Sequence, residues 1–181
     1  MCETPLPTRD ERNLMSEVTS PSQTSGPLFG FALLWEGSDA AVDPQREDAI
    51  TITGFLYDGA GAPVAWPEAL VEIWAGEQFA RTRTDPDGRF DVVVAKPDLP
   101  PLPGGLPQAP HFNIQIFARG LLKQLVTRVY FPDEDEANAS DPVLQAVDAD
   151  LRDRLIASRD GAGYRLELVL QGDNESVFFD F

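Results

Sequence analysis

The stretch ITITGFLYDGAGAPV, residues 50–64, decides the fold. Ile50 and Ile52 alternate with Thr51 and Thr53, the two-residue period of a strand that buries one face. A glycine-rich turn and a proline then end the run. LVEIW (70–74) reads as a second strand, with Leu70, Ile73 and Trp74 expected inside. TDPDGRFDVVV (84–94) sets a tight Asp-Pro-Asp-Gly turn at 85–88 ahead of another strand. A proline-rich loop, KPDLPPLPGGLPQAP (96–110), leads to HFNIQIFA (111–118), where Phe112, Ile114 and Ile116 share a face. LVTRVYF (125–131) and YRLELVL (164–170) continue the pattern, the latter alternating Tyr164, Leu166, Leu168 and Leu170 with polar partners.

Outside the strands the signals differ. SPSQTSGPLFGFALLW (20–35) passes from turn formers to an apolar stretch, and residues 36–48 read as an acidic loop. PDEDEANAS (132–140) reads as a second acidic loop. One helix is predicted after it, with Asp141 as N-cap, Pro142 at its first position, and Val143, Val147, Leu151 and Leu155 at helical spacing. The ending SVFFDF (176–181) is aromatic enough to be expected against a surface rather than in water. Short strands, turn signals and one short helix predict a mainly β chain with long loops, an antiparallel β-sandwich or barrel. There is no internal repeat.

With 181 residues and 43% hydrophobic side chains, the chain is long enough for one domain with a hydrophobic core. No apolar run reaches the roughly 18 residues of a membrane span. MCETPLPTRDERNLMSEVTS (1–20) has no apolar core of a secretory signal, and Met15 is an alternative start. Residues 1–19 are expected to be a flexible tail, and 20–181 the folded domain. The single cysteine, Cys2, permits no internal disulfide and suits a reducing cytoplasm. A net charge of −16 opposes binding to a phosphate backbone. It also means that an anionic ligand would need local arginine or lysine to overcome the general field.

Most catalytic chemistries lack their residues. A metal site takes three or four ligands from His, Cys, Asp, Glu or Tyr, yet His111 is the only histidine, and the tyrosines are Tyr57, Tyr130 and Tyr164. Tyr57 and Tyr164 sit in strand patterns. No G-x-S-x-G stretch accompanies His111, and no phosphate-binding glycine motif is present. On its residues alone His111 reads as a structural histidine.

Four segments together resemble one family, the intradiol ring-cleavage dioxygenases. They are PSQTSGP (21–27), ITGFLYDGAGAPV with ALVEIW (52–74), APHFNIQIFARGLL with TRVYFPDE (109–134), and LQGDNESVFFDF (170–181). The second, with TDPDGRF, occurs in many transthyretin-like sandwiches; the other three are far more specific. The resemblance implies a β-sandwich of the intradiol dioxygenase, transthyretin-like type. It places the chain among the α subunits, whose partner β subunits hold a non-haem Fe(III) with two tyrosines and two histidines. Set against that ligand pattern, AGEQFARTRTDPDG after Trp74 is too short for the first tyrosine segment and contains none. KPDLPPL has Pro100 at the second tyrosine position and Leu102 in place of a tryptophan. APHF has Ala109 at the first histidine position and His111 at the second, which implies that His111 is a vestigial metal position.

What the resemblance leaves to this chain is a wall. Thr24, Gly26 and Pro27 of the T-x-G-P turn, with Arg119 of FARG, are implied to line the substrate pocket of the β subunit, with no catalytic or metal-binding residue in this chain. Arg128, on an alternating strand, is expected in a structural ion pair. The implied activity is cleavage of protocatechuate by dioxygen to 3-carboxy-cis,cis-muconate, within the β-ketoadipate route of aromatic catabolism, by a large cytoplasmic αβ assembly. Readings of other kinds are a transthyretin-like binding or adhesion module and a self-sufficient intradiol dioxygenase.

Overall fold

Strand β1 (Ala49–Tyr57) lies in the fold-deciding stretch and pairs on both sides, with residues 89–95 on one and 164–169 on the other. The structure is a computed structural model that describes Gly26 and residues 29–180. After helix α1 (Phe29–Leu33) and β1 come β2 (Ala69–Ala75), β3 (Gln78–Arg83), β4 (Arg89–Ala95), β5 (His111–Ala118) and β6 (Leu125–Tyr130). Helices α2 (Asp135–Ser140) and α3 (Pro142–Ala146), a 3₁₀ turn (Arg152–Leu155), β7 (Ser158–Asp160) and β8 (Gly163–Val169) complete the order. Two four-stranded sheets result, β4-β1-β8-β7 and β3-β2-β5-β6. Every pairing is antiparallel except β1 with β8, which run parallel from Ile52 opposite Tyr164 to Tyr57 opposite Val169.

The sheets bury their facing sides against each other. Ile52, Leu56, Val92, Val94 and Leu168 of the first sheet pack with Val71, Ile73, Phe112, Ile114 and Ile116 of the second. The expected faces are therefore correct for Ile52, Phe112, Ile114 and Ile116. Leu70 and Trp74 differ from Ile73 by their parity, so they point to the outer face of the second sheet. Leu70 is covered there, whereas Trp74 is only half-buried, contrary to expectation.

The two common motifs interlock. Gly54 lies opposite Phe90 in the β1–β4 ladder, and a Cβ on Gly54 would fall 2.0 Å from Cζ of the Phe90 ring. Asp58 Oδ1 accepts from the Ala60 and Ala62 amides, and Asp85 Oδ1 accepts from Asp87 and Arg89, so each aspartate closes its own turn. Gly88, at φ 74°, donates no side chain to the crowded space beside the Leu56 carbonyl, 2.5 Å from where its Cβ would stand.

Two expectations change. The acidic segment 132–140 contains helix α2 rather than loop alone. The helix begun at Asp141 and Pro142 has the predicted cap but stops at Ala146. Val147 is extended (φ −79°, ψ 143°), because the Arg152 guanidinium takes over the helix end, donating to the Val147 and Gln145 carbonyls at 2.8 Å each. Leu155 still reaches a small core, but through the 3₁₀ turn, where it meets Ala109, Tyr130 and Leu144. The aromatic ending packs on its own chain: Phe178 joins the main core, Phe179 the smaller one, and the Phe179 amide donates to Val126 O at 2.8 Å. Phe181 lies outside the described residues.

Gly54→Ala drives a methyl into the buried Phe90 ring, and overpacking of this kind costs about 1–3 kcal/mol. The urea unfolding midpoint is expected to fall accordingly with the slope unchanged.

Candidate functional site

Strand β5 carries the two residues on which the functional reading turns, one at each end. His111 is its first residue, and Arg119 follows its last. At about 3.3 Å per residue they stand roughly 26 Å apart. Both have the odd parity that faces away from the inter-sheet core, yet their surroundings are opposite.

At the first end, the outer face is roofed by helix α3 and the smaller core. His111 is 2% exposed, and its Nδ1–H donates to the Ala109 carbonyl at 2.8 Å. Tyr130 sits opposite it in the β5–β6 ladder, with ring centroids 5.2 Å apart. The organising group is Asp141, fully buried. Its Oδ1 accepts from the Val143 and Leu144 amides at 2.9 Å and from the Tyr130 hydroxyl at 3.2 Å. Its Oδ2 accepts from the Ala109 amide at 3.0 Å. Burial pushes the Tyr130 hydroxyl up to about 12, with Arg128 opposing and Asp141 adding to the shift. Burial likewise lowers the pKa of His111, against the Ala109 hydrogen bond and with help from the Arg128 charge.

Arg128 departs from the expected ion pair. It donates to Asn113 Oδ1 at 3.1 Å and to the Tyr130 hydroxyl at 3.2 Å, and its guanidinium lies 5.9 Å from the Phe179 ring centre. Among the described residues no carboxylate lies within ion-pair distance of it. The C-terminal segment runs along the same strand, the Phe179 amide donating to Val126 O at 2.8 Å, so the guanidinium faces an aromatic ring rather than an acid.

This end does not fit a ferric ion. Ala109 offers no side-chain donor, Pro100 offers none, and His111 has committed Nδ1 to a carbonyl under a roof of packed side chains. A lone imidazole cannot supply the three or more ligands such an ion takes. Among the described residues no group of three His, Cys, Asp or Glu side chains converges.

The second end is open. The Arg119 side chain is 74% exposed and pairs with Glu68, Nη1 to Oε1 at 2.9 Å. Gly26 is exposed, and among the described residues nothing lies within 4 Å of where a Cβ would stand. Thr24 and Pro27 fall outside the described residues. Helix α1, just beyond, sets Phe31 edge-on against Trp66, with ring centroids 5.3 Å apart. The Trp66–Pro67–Glu68 turn therefore touches the segment after the T-x-G-P turn on one side and Arg119 on the other. Sequence reasoning missed both Trp66 and Glu68, since neither carries a motif. Asp141 was legible as a helix cap but not as the partner of Ala109 and Tyr130, which are distant in sequence.

No family model matches the chain. Two curated proteins match along nearly all of it. The protocatechuate 3,4-dioxygenase alpha chain of Pseudomonas putida is 35% identical over 198 aligned positions, covering 90% of this chain and 96% of that one. That of Burkholderia cepacia is also 35% identical, covering 89% and 96%. The chain belongs to the protocatechuate 3,4-dioxygenase alpha-chain family. Solved structures agree on the fold. Hydroxyquinol 1,2-dioxygenase from Pseudomonas putida DLL-E4 superposes with a TM-score of 0.52 at 18% identity, covering 87% of this chain and 70% of that one. The dioxygenase domain of a carbohydrate-binding fusion from Streptomyces sp. SirexAA-E gives 0.52 at 20% identity, covering 77% and 88%. The mainly β sandwich is thus the intradiol dioxygenase fold, as the resemblance implied.

The buried imidazole makes stability depend on pH with a defined sign. An unfolded histidine titrates near pH 6.5, and the folded value of His111 lies lower, so the unfolded chain binds the proton first. Stability from the neutral ring is complete above about pH 6.5 and declines as pH falls through the folded value. Urea unfolding at about pH 7.5 and 5.5 is expected to show a larger loss for the wild type than for His111→Gln.

Proposed function

We propose that this chain is the α subunit of a protocatechuate 3,4-dioxygenase and completes the substrate pocket of its β subunit. The observation that carries the reading is the match to two alpha chains along nine-tenths of the sequence, with the FARG arginine standing on an open rim. In that assembly the partner β subunit holds Fe(III), which supplies the oxidative cleavage of protocatechuate by dioxygen to 3-carboxy-cis,cis-muconate. Residues 20–181 form the domain that docks on the β subunit, after a tail of residues 1–19. The compartment is the cytoplasm. Among the described residues no helix is long and apolar enough to cross a membrane.

The work of this chain is binding and exclusion. Arg119 presents a permanently charged, forked donor to an anionic ligand, in a protein whose net charge of −16 would otherwise repel it. Gly26 allows close approach of backbone to a flat ring, and Pro27 fixes the turn and gives an apolar edge. Thr24 adds a hydroxyl donor to the same wall. Closing the pocket with these groups removes water from around the ligand, which strengthens the arginine's hold.

A hydrogen bond to a charged group contributes roughly 1.5–3 kcal/mol. Arg119→Ala, co-expressed with the β subunit and normalised to bound iron, is therefore expected to lower kcat/KM for protocatechuate about ten- to a hundredfold. Iron content should be unchanged. Wild-type kcat/KM in that variant would contradict the reading and favour a binding module that only shares the fold.

A further inference from the structure

Arg119 is a long, exposed side chain, and an arginine that contributes to a pocket must be aimed. We infer that Glu68 is the residue that positions Arg119 for its ligand, an inference that rests on the proposed function.

The grip is double. The Arg119 backbone N–H donates to the Glu68 carbonyl at 2.8 Å, and its guanidinium Nη1 donates to Glu68 Oε1 at 2.9 Å. The β2–β5 ladder ends with Ala69 opposite Ala118, so Glu68 and Arg119 form the next cross-strand pair past its end. Side chains in such a pair lie close enough to interact directly. Backbone pairing therefore fixes where the guanidinium starts, and the carboxylate fixes which way it turns.

Glu68 is itself held. The neighbouring Trp66 amide donates to Thr84 O at 3.3 Å, its ring meets Phe31, and the Arg83 guanidinium lies 5.7 Å from its ring centre. The turn is pinned to β3 on one side and to α1 on the other, so it serves as a fixed post. Both members of the ion pair are exposed, by 74% and 50% of their side chains. An exposed pair contributes little to stability, which leaves orientation as its physical effect. Glu68 engages Nη1, and among the described residues the other guanidinium N–H groups have no hydrogen-bond partner that would compete with an anion.

Two effects of Glu68 oppose each other, and its variants separate them. Its charge disfavours an anionic ligand nearby; its grip favours productive geometry. Glu68→Gln removes the charge but keeps an acceptor at the same reach, whereas Glu68→Ala removes both. In the αβ holoenzyme, Glu68→Ala is expected to lower kcat/KM for protocatechuate about three- to tenfold, with Glu68→Gln within about twofold of wild type. In an Arg119→Ala background, Glu68→Ala should add no further loss, the signature of action through the arginine. The melting temperature should move by no more than about 2–4 °C.

An increase in kcat/KM in both Glu68 variants would show that charge outweighs aim and overturn the inference. So would a Glu68→Ala loss that persists undiminished in the Arg119→Ala background. A silent Glu68→Ala beside an impaired Arg119→Ala would overturn the inference while leaving the pocket reading intact. A silent Arg119→Ala would overturn both.

Discussion

One buried carboxylate ties down the end of the sandwich on which the functional assignment depends. Asp141 is inaccessible to solvent and accepts from three backbone amides and one hydroxyl. Those donors come from the end of the proline-rich loop, from β6 and from helix α3. A buried carboxylate is tolerated only when its oxygens are fully hydrogen-bonded, so each segment is needed to keep the others in place. The result is a lid of Ala109, Tyr130, Leu144 and Leu155 over His111. Under that lid the imidazole serves packing and one carbonyl.

The start of the same loop is fixed by a second polar cluster. Lys96 Nζ donates to Asp133 and Glu134 at 2.6 and 2.7 Å, and Asp133 also accepts from Tyr164 and pairs with Arg159. Partial burial works against the lysine's charge, but these hydrogen bonds outweigh it and hold its pKa above the usual lysine value. Lys96 and Asp141 thus staple the two ends of the 96–110 loop to the body. The loop between them is thereby held as structure, with Pro100 exposed on it.

The strands were legible because burial leaves a period of two in the sequence. Ile52, Phe112, Ile114 and Leu168 announce themselves that way, and the Asp58 and Asp85 turns follow from side-chain chemistry that acts over two to four residues. What was not legible depends on contacts between distant segments. Val147 and Leu151 keep helical spacing, yet an arginine five residues along ends the helix at Ala146. The parallel pairing of β1 with β8 has no local signature, and Trp74 looks like a core residue until its parity is fixed by Ile73. Within the candidate site, Arg119 was found through its motif, whereas Glu68 lies 51 residues away and becomes its partner only when β2 and β5 pair.

On the proposed function, labour is divided: this chain supplies a wall and its partner supplies the iron. The most direct measurement is the iron content and visible absorption of the chain purified alone and of the complex purified after co-expression with a β chain. The account predicts iron and the tyrosinate-to-iron absorption in the complex, and neither in the isolated chain after exposure to ferric ion. A stoichiometric, coloured iron site in the isolated chain would contradict it.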